Sequence, residues 1–145
     1  MEQFTEVSSD QHFYVGFDNT NHILLMKFIG AMSDDEYKQI WHTAFDQCFE
    51  KGINKLIIDQ SNIGNVSFSA RAWVMVKMYP KIKRELSPDI KGAIISSSHV
   101  VHRTGVHYLV KAFQKVSGFK IEFHEDYESA TAWLNQIDKW IKAKV

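Results

Sequence analysis

The stretch Leu56–Trp73, LIIDQSNIGNVSFSARAW, predicts a buried strand, then a polar loop, then the start of a helix. It begins with a short continuous apolar run, which is typical of a central strand covered on both faces. The loop that follows contains Ser61, Ser67 and Ser69. Ser67 or Ser69 can accept a hydrogen bond from a free backbone amide in the first turn of the helix. We therefore expect helix capping to be the default role of these two serines.

The segment before this stretch opens with an antiparallel hairpin. Residues His12–Asp18 and His22–Gly30 are two strand-like runs. They are joined by Asn-Thr-Asn, residues that tolerate turn conformations. The two runs therefore predict the first two strands of the fold.

A helix is expected directly after the hairpin. Ser33 and Glu36 form a capping box at its start, and Gly52 stands where a C-terminal glycine belongs. Between these signals, apolar residues recur at the i, i+3, i+4, i+7 spacing of one buried helical face. These residues are Tyr37, Ile40, Trp41, Ala44, Phe45, Cys48 and Phe49.

The rest of the chain continues to alternate helices and strands. Ser69–Leu86 is a helical segment, which Pro80 should end near Tyr79 or kink. GAIISS follows as a second buried strand, and Arg103–Val116 as a helix. KIEFH alternates apolar and charged residues, which indicates an edge strand with one wet face. Asp126 can then cap a last helix.

The resulting element order is ββαβαβαβα. Alternating strands and helices predict an α/β fold with one open, mostly parallel sheet, preceded here by the antiparallel hairpin. No linker, low-complexity segment or internal repeat divides the chain. We therefore predict a single domain over residues 1–145.

Composition excludes several classes of protein. Lysine plus arginine and aspartate plus glutamate number 17 each, so the basic excess of a nucleic-acid binder is missing. Cys48 is the only cysteine, which excludes a disulfide framework and a thiol-based metal site. The first residues are polar and acidic, unlike a secretory or transit peptide, and no apolar run approaches the ~20 residues that span a bilayer. We expect a cytoplasmic protein without an integral membrane segment.

Topology indicates which edge of the sheet to inspect for function. Ligands of open α/β sheets sit beyond the carboxyl ends of the parallel strands. In this chain those ends are Gly30–Ser33, Asp59–Ser69, Ser96–His102 and His124–Asp126. Most of the chemically interesting polar residues therefore collect on one edge.

The chain resembles the STAS/SpoIIAA-like family of sulfate transporter and anti-sigma factor antagonist domains. The resemblance rests on the opening hairpin, GAMSDDEY before the first helix, KLIID before the serine loop, and YESATAWL near the end. It is strongest to the stand-alone bacterial members described as STAS/SEC14-like. The resemblance implies a SpoIIAA-like fold and a working edge at the serine loop.

The same resemblance makes Ser67 and Ser69 candidate phosphorylation sites. In anti-sigma antagonists the equivalent loop ends in Asp-Ser-x-Gly, whose serine is phosphorylated by a partner kinase. The stretch here reads NVSFSAR, with Val66 or Phe68 in place of the aspartate and Ala70 or Arg71 in place of the glycine. The phosphorylation pattern is therefore degenerate in this chain.

The serine loop also offers a hypothetical anion site. Free amides at a helix N-terminus, together with Arg71 in the first turn, suit a phosphate or a carboxylate. His99, His102 and His107 follow the second buried strand, and with Asp59 or His124 as a further ligand they could form a zinc site. Their spacing matches no metal motif, so we expect no metal. A Ser67–His99 pair could support nucleophilic chemistry, but no Gly-x-Ser-x-Gly elbow accompanies it.

The helix after the serine loop carries more apolar surface than one core-facing stripe requires. Trp73, Val74 and Met78 belong to this surface. One side of the helix is therefore expected to pack on a partner or to line a pocket, unless both sides are buried within the monomer.

These observations predict a non-catalytic regulatory or interaction module. It would bind a protein partner, or a second copy of itself, through the serine loop and the following helix, without a cofactor or nucleic acid. The alternative is a carrier or sensor of a small amphipathic or lipid-like ligand held between that helix and the sheet. A small hydrolase-type enzyme built on Asp59, Ser67 and His99 is a third hypothesis.

Overall fold

Six strands form one sheet, with helices packed on both of its faces. The computed structural model describes residues 3–85, 89–96, 110–112, 114–115 and 120–144. The strands are β1 Thr5–Ser9, β2 Phe13–Asp18, β3 Ile23–Gly30, β4 Lys55–Ile63, β5 Lys91–Ile95 and β6 Lys120–His124. The helices are α1 Asp34–Lys51, α2 Phe68–Trp73, a π-helical turn at Val74–Met78, α3 Tyr79–Glu85 and α4 Tyr127–Lys144. Residues 110–112 and 114–115 are also helical.

The strands lie in the sheet in the order in which they occur in the chain. The pairs β1–β2 and β2–β3 are antiparallel, whereas β3–β4, β4–β5 and β5–β6 are parallel. The predicted α/β fold, with an antiparallel hairpin leading into a mostly parallel sheet, is therefore confirmed. Residues of α1 and α2 and Val110 belong to one apolar core, so these parts of the connections between parallel strands lie on the same face of the sheet.

One strand was not predicted. β1, Thr5–Ser9, pairs with the outer side of β2 and carries a register shift between Glu6 and Ser8. Its residues are mostly exposed and polar, so the sequence shows no apolar alternation there. The strand order thus begins βββ rather than ββ, and the hairpin lies one strand in from the edge.

The two faces of the sheet are packed against separate apolar cores. The core on the side of α1 and α2 includes Phe28, Trp41 and Ile58, and the core on the side of α4 includes Ile57 and Leu134. Ile57 and Ile58 are adjacent in β4, so alternate residues of this strand serve opposite cores. This accounts for the continuous apolar run of LIID.

Helix α1 begins and ends as its sequence predicts. Ser33 accepts a hydrogen bond from the Glu36 amide while the Glu36 side chain accepts one from the Ser33 amide. Gly52 ends the helix with φ of 64°, in the left-handed region that glycine adopts without strain. The buried face of α1 differs from the predicted one near the end of the helix. There Phe49 is 60% exposed, and Phe45 is only partly buried.

Pro80 does not end the second helical segment. α2, the π-helical turn and α3 follow one another without a break, and the irregularity lies in Val74–Met78, directly before Tyr79 and Pro80. Proline lacks an amide hydrogen and clashes with the preceding turn, and a π-helical turn is one way for a helix to absorb that conflict.

Candidate functional site

The serine loop leaves the end of β4 and is tied to the end of β3. The Gly64 amide donates to the Gly30 carbonyl over 2.8 Å, and the Met32 amide donates to the Asn65 carbonyl over 3.3 Å. Because β4 extends to Ile63, Ser61 lies within the strand rather than in the loop. The exposed loop is therefore held close to the sheet on one side and to α2 on the other.

Ser67 is the residue that caps α2. Its Oγ accepts a hydrogen bond from the Ala70 amide over 3.0 Å and donates one to Asp34 Oδ1 over 2.7 Å. A single hydroxyl therefore satisfies a free amide of α2 and joins the serine loop to the first turn of α1. The sequence predicted the cap, but no local spacing indicated the contact with Asp34.

Ser69 lies in the first turn of α2 with its side chain exposed. No side-chain hydrogen bond to it is found within the described part of the chain. The two candidate phosphorylation sites therefore differ in surroundings. A phosphate on Ser67 would remove the hydrogen that Ser67 donates to Asp34 and would add negative charge beside that carboxylate, whereas Ser69 has no such neighbour among its contacts.

Asp59 belongs to a different network on the α4 side of the sheet. It is 2% exposed, and its Oδ1 accepts hydrogen bonds from the Ser61 amide over 2.9 Å and from the Ser61 hydroxyl over 2.6 Å. Tyr127 donates its hydroxyl hydrogen to Asp59 Oδ2. Burial first, and then the bond to Asp59, raises the pKa of Tyr127, so this phenol stays protonated. Asp59 and Ser67, which the hydrolase hypothesis combined, thus have separate sets of partners.

Arg71 does not face solvent beside the serines. The side chain is 3% exposed, and Nη1 donates to Gln60 Oε1 over 3.0 Å. Its Cζ lies 5.8 Å from the centroid of the Tyr37 ring. Because the guanidinium points into the core beneath α2, an exposed anion site made from Arg71 and the first amides of α2 does not form.

The apolar residues of the second helical segment divide between the core and solvent. Val74 and Met78 are 5% and 4% exposed and belong to the main core. Trp73 is partly buried against α1, with its ring 5.5 Å from that of His42 and with Lys38 Nζ 5.0 Å from its centroid. Among the side chains of this segment that the structure describes, the large apolar ones left exposed are Phe68 at 58% and Val76 at 64%, neither of which was predicted as a binding residue.

A shallow cleft lies between α1 and α3. It has a volume of about 90 Å³, with Phe45, Phe49 and Met78 among its lining residues and with Lys81 and Glu85 at its α3 side. The cleft is much smaller than the ~300–1,000 Å³ of typical small-molecule pockets.

Two predicted site residues, His99 and His102, lie outside the described residues, as does His107. Within the described ranges, no group of three histidine, cysteine, aspartate or glutamate side chains is arranged to hold a metal ion. No helix of the described part is long and apolar enough to cross a bilayer.

The architecture defines the chain as an α/β protein with a SpoIIAA-like fold. It is similar to a solved structure of an uncharacterized protein of the DUF3478 family, with a SpoIIAA-like fold, from Shewanella loihica PV-4. The two chains are 20% identical with a TM-score of 0.58, and the alignment covers 90% of this chain and 99% of the other. No family model matches the chain, and no curated protein does. The SpoIIAA-like fold predicted from the sequence is confirmed.

Proposed function

We propose that this chain is a non-catalytic interaction module that binds a protein partner through its loop–helix face, defined as Ser67, Phe68, Ser69 and Val76. The observation that carries this proposal is the exposure of Phe68 and Val76. Each is more than half exposed, although Val74 and Met78 in the same helical segment are buried in the core.

A partner would gain from covering this face. Full burial of a large apolar side chain contributes ~1.5–3 kcal/mol, and Phe68 and Val76 retain a large part of that surface in the free protein. Association costs several kcal/mol in lost freedom, so these two side chains act as anchors inside a larger contact area. Ser67 and Ser69 add hydrogen-bonding groups next to the anchors.

The proposed role is non-catalytic because of the contacts that the polar side chains make. Ser67 is engaged in capping and in the bond to Asp34, and both oxygens of Asp59 accept hydrogen bonds from Ser61 or Tyr127. A nucleophilic serine needs an adjacent base, and among the described residues Ser67 has no histidine partner. The resemblance to STAS domains supports the same role.

The experiment is a site-specific photocrosslinking comparison. A photoreactive side chain would be placed at position 68, 76 or 7 in the full chain expressed in its source cells, and the crosslinked products identified by mass spectrometry. Positions 68 and 76 are expected to yield the same discrete adduct. Val7, an exposed apolar residue of β1, is the matched control. A product containing only this chain identifies a second copy as the partner.

Substitution provides the second arm of the test. Phe68→Glu and Val76→Glu should remove the adduct and leave the melting temperature nearly unchanged, because both side chains are exposed. Val7→Glu should retain the adduct. A purified protein that sediments as a monomer and gives no adduct at positions 68 and 76 beyond that at position 7 would refute the proposal.

A further inference from the structure

Arg71 presents a free hydrogen-bonding edge inside the protein. Its Nη1 bonds to Gln60, but Nε and Nη2 are both buried and have no hydrogen-bond partner among the described residues. The Nε–H bond and one Nη2–H bond lie in the guanidinium plane, along the same edge, and point in the same direction. This is one of the edges with which arginine binds a carboxylate through two parallel hydrogen bonds.

Trp41 supplies another buried donor without a partner. Its Nε1 is as inaccessible as the two free nitrogens of Arg71, and no acceptor among the described residues lies in good hydrogen-bond geometry to it. Both side chains approach the Tyr37 hydroxyl. Burial raises the pKa of Tyr37, whereas the positive charge of Arg71 and hydrogen bonding from Trp41 and Arg71 to the hydroxyl oppose that rise. We refer to Arg71 Nε and Nη2, Trp41 Nε1 and the Tyr37 hydroxyl as the donor cluster.

The donor cluster lacks negative charge. Arg71 forms no ion pair within the part of the chain that the structure describes. Nor does the sequence between Ser96 and Val110, which follows β5, contain an aspartate or a glutamate. Burying a charged group without a counter-charge is costly, and buried donors in native proteins are almost always paired. The Tyr37 hydroxyl alone cannot accept from all three nitrogens of the cluster, so donors outnumber acceptors among the described residues of the cluster.

We propose that the donor cluster binds the carboxylate group of a small organic acid. A carboxylate matches the fork of Arg71 with two oxygens and has lone pairs left for Trp41 Nε1. It also matches the single positive charge, whereas a phosphate would bring one to two negative charges to a site with one cation. The ring of Phe28 lies 5.2 Å from that of Tyr37 and 6.1 Å from that of Trp41, and these apolar surroundings favour an acid with an apolar body.

This inference goes beyond the protein-binding role and does not depend on it. The loop–helix face is exposed, whereas the donor cluster lies on the core side of the same helix. Ala70, which donates to the Ser67 cap, is adjacent to Arg71 in the chain. A bound carboxylate would hence stabilise α2 from beneath while a partner contacts it from above.

The test is a titration of the full chain with acetate, butyrate and octanoate, at constant ionic strength and followed by NMR. The chain has four tryptophans, so Trp41→Phe assigns the indole N–H signal of Trp41. We expect that signal to move saturably with each carboxylate, and the melting temperature to rise. Chloride and inorganic phosphate, the comparison anions, should produce neither change.

Three variants separate a binding site from a structural arginine. Arg71→Lys keeps the charge but removes the fork, and should weaken carboxylate binding at least about tenfold. Trp41→Phe keeps most of the ring volume but removes the indole N–H. It should weaken carboxylate binding several-fold, as measured by the rise in melting temperature. Arg84→Lys, at an exposed position of α3, is the control and should leave carboxylate binding unchanged.

The proposal is overturned by a wild-type protein whose Trp41 signal does not saturate with any carboxylate. It is also overturned by an equal response to chloride or phosphate, or by full affinity in both the Arg71→Lys and Trp41→Phe variants. If Arg71→Lys does not fold, Trp41→Phe decides the matter alone, since full affinity in that variant excludes the indole as a ligand. A high-resolution crystal structure grown with acetate that shows only water on the Arg71 fork would likewise refute it.

Discussion

Tyr127, the first residue of α4, donates its hydroxyl hydrogen to Asp59 near the end of β4, 68 positions earlier in the chain. The other carboxylate oxygen of Asp59 is occupied by the backbone and side chain of Ser61. A buried carboxylate needs this many donors to offset its lost hydration. The pair therefore joins the last helix to the edge of the sheet that carries the serine loop.

We expect Tyr127→Phe to destabilise the fold by ~1–3 kcal/mol, because it leaves one oxygen of a buried carboxylate without its donor. Urea titration of the wild type and the variant measures this loss. A double-mutant cycle with Asp59→Asn should give a coupling free energy of ~0.5 kcal/mol or more. Additive effects of the two substitutions would show that the contact contributes nothing specific.

The capping role of Ser67 predicts a difference between two serines that are two positions apart. Ser67→Ala should lower the free energy of unfolding by ~1 kcal/mol or slightly more, since it removes the bond from the Ala70 amide and the bond to Asp34. Ser69→Ala should change it by less than ~0.5 kcal/mol, as expected of an exposed site. Equal losses in the two variants would contradict the assignment of the cap.

Phosphorylation should distinguish the same two residues. A phosphate on Ser67 would stand beside the Asp34 carboxylate, whereas one on Ser69 would meet solvent. We expect the protein phosphorylated at Ser67 to melt at a lower temperature than the protein phosphorylated at Ser69, each prepared with genetically encoded phosphoserine. In the Asp34→Asn background the penalty at Ser67 should become smaller. A penalty at Ser67 that persists unchanged in that background would exclude repulsion as its cause.

Features set by local sequence could be predicted, and they are the ones that the structure reproduces. The capping box of Ser33 and Glu36, the left-handed Gly52 and the apolar run before Asp59 depend on residues close together in the chain. Each leaves a signal at a fixed spacing. These signals predicted the order of the described elements apart from β1, and with it the edge at which the serine loop lies; the predicted helix Arg103–Val116 lies mostly outside the described residues.

Features set by distant contacts could not be predicted. Nothing in the residues around Arg71 shows that its side chain turns inward to Gln60, and no spacing links Tyr127 to Asp59. The helical spacing of α1 placed Phe49 inward, but this side chain is 60% exposed, whereas Cys48 beside it is fully buried. Whether a residue at the end of a helix is buried depends on which other elements pack against it. The periodicity of the sequence does not show this.

Close backbone packing at Gly64 predicts a sharp intolerance to substitution. A Cβ atom at this position would lie 2.6 Å from the Ala31 nitrogen and 2.8 Å from the Gly30 carbonyl carbon, both of which are backbone atoms. Gly64→Ala should therefore cost ~1–3 kcal/mol, as overpacking does, and should disturb the serine loop. Denaturant titration measures the cost.

Gly16→Ala is the matched control for that substitution. A Cβ atom at Gly16 would meet the Tyr14 side chain at 2.6 Å, and a partly buried side chain can move aside more readily than a backbone. We expect the smaller loss from Gly16→Ala. If Gly16→Ala lowers the free energy of unfolding more than Gly64→Ala does, the serine loop accommodates an added Cβ atom more readily than the hairpin does.

Asp18, at the end of β2, predicts how stability depends on pH. Burial opposes its ionisation, but hydrogen bonds from the Asn21 and Gln3 side chains and from the backbone amides of Asn21 and Thr20 outweigh it. Together they hold the pKa of Asp18 below its ordinary value of 3.8. A carboxyl whose pKa is lower in the folded state than in the unfolded state binds fewer protons when folded. It therefore contributes stability above its unfolded-state pKa, and this contribution is lost as the pH falls through the folded-state pKa.

The free energy of unfolding should consequently fall more steeply in the wild type than in Asp18→Asn as the pH is lowered below about 4, because asparagine has no proton to bind. Urea titrations at pH 7, 5, 4 and 3 measure the two curves. Asn21→Ala removes one side-chain donor while keeping the carboxyl, so its curve should fall between them. Parallel curves for wild type and Asp18→Asn over this range would show that the hydrogen bonds to Asp18 do not favour its ionised form.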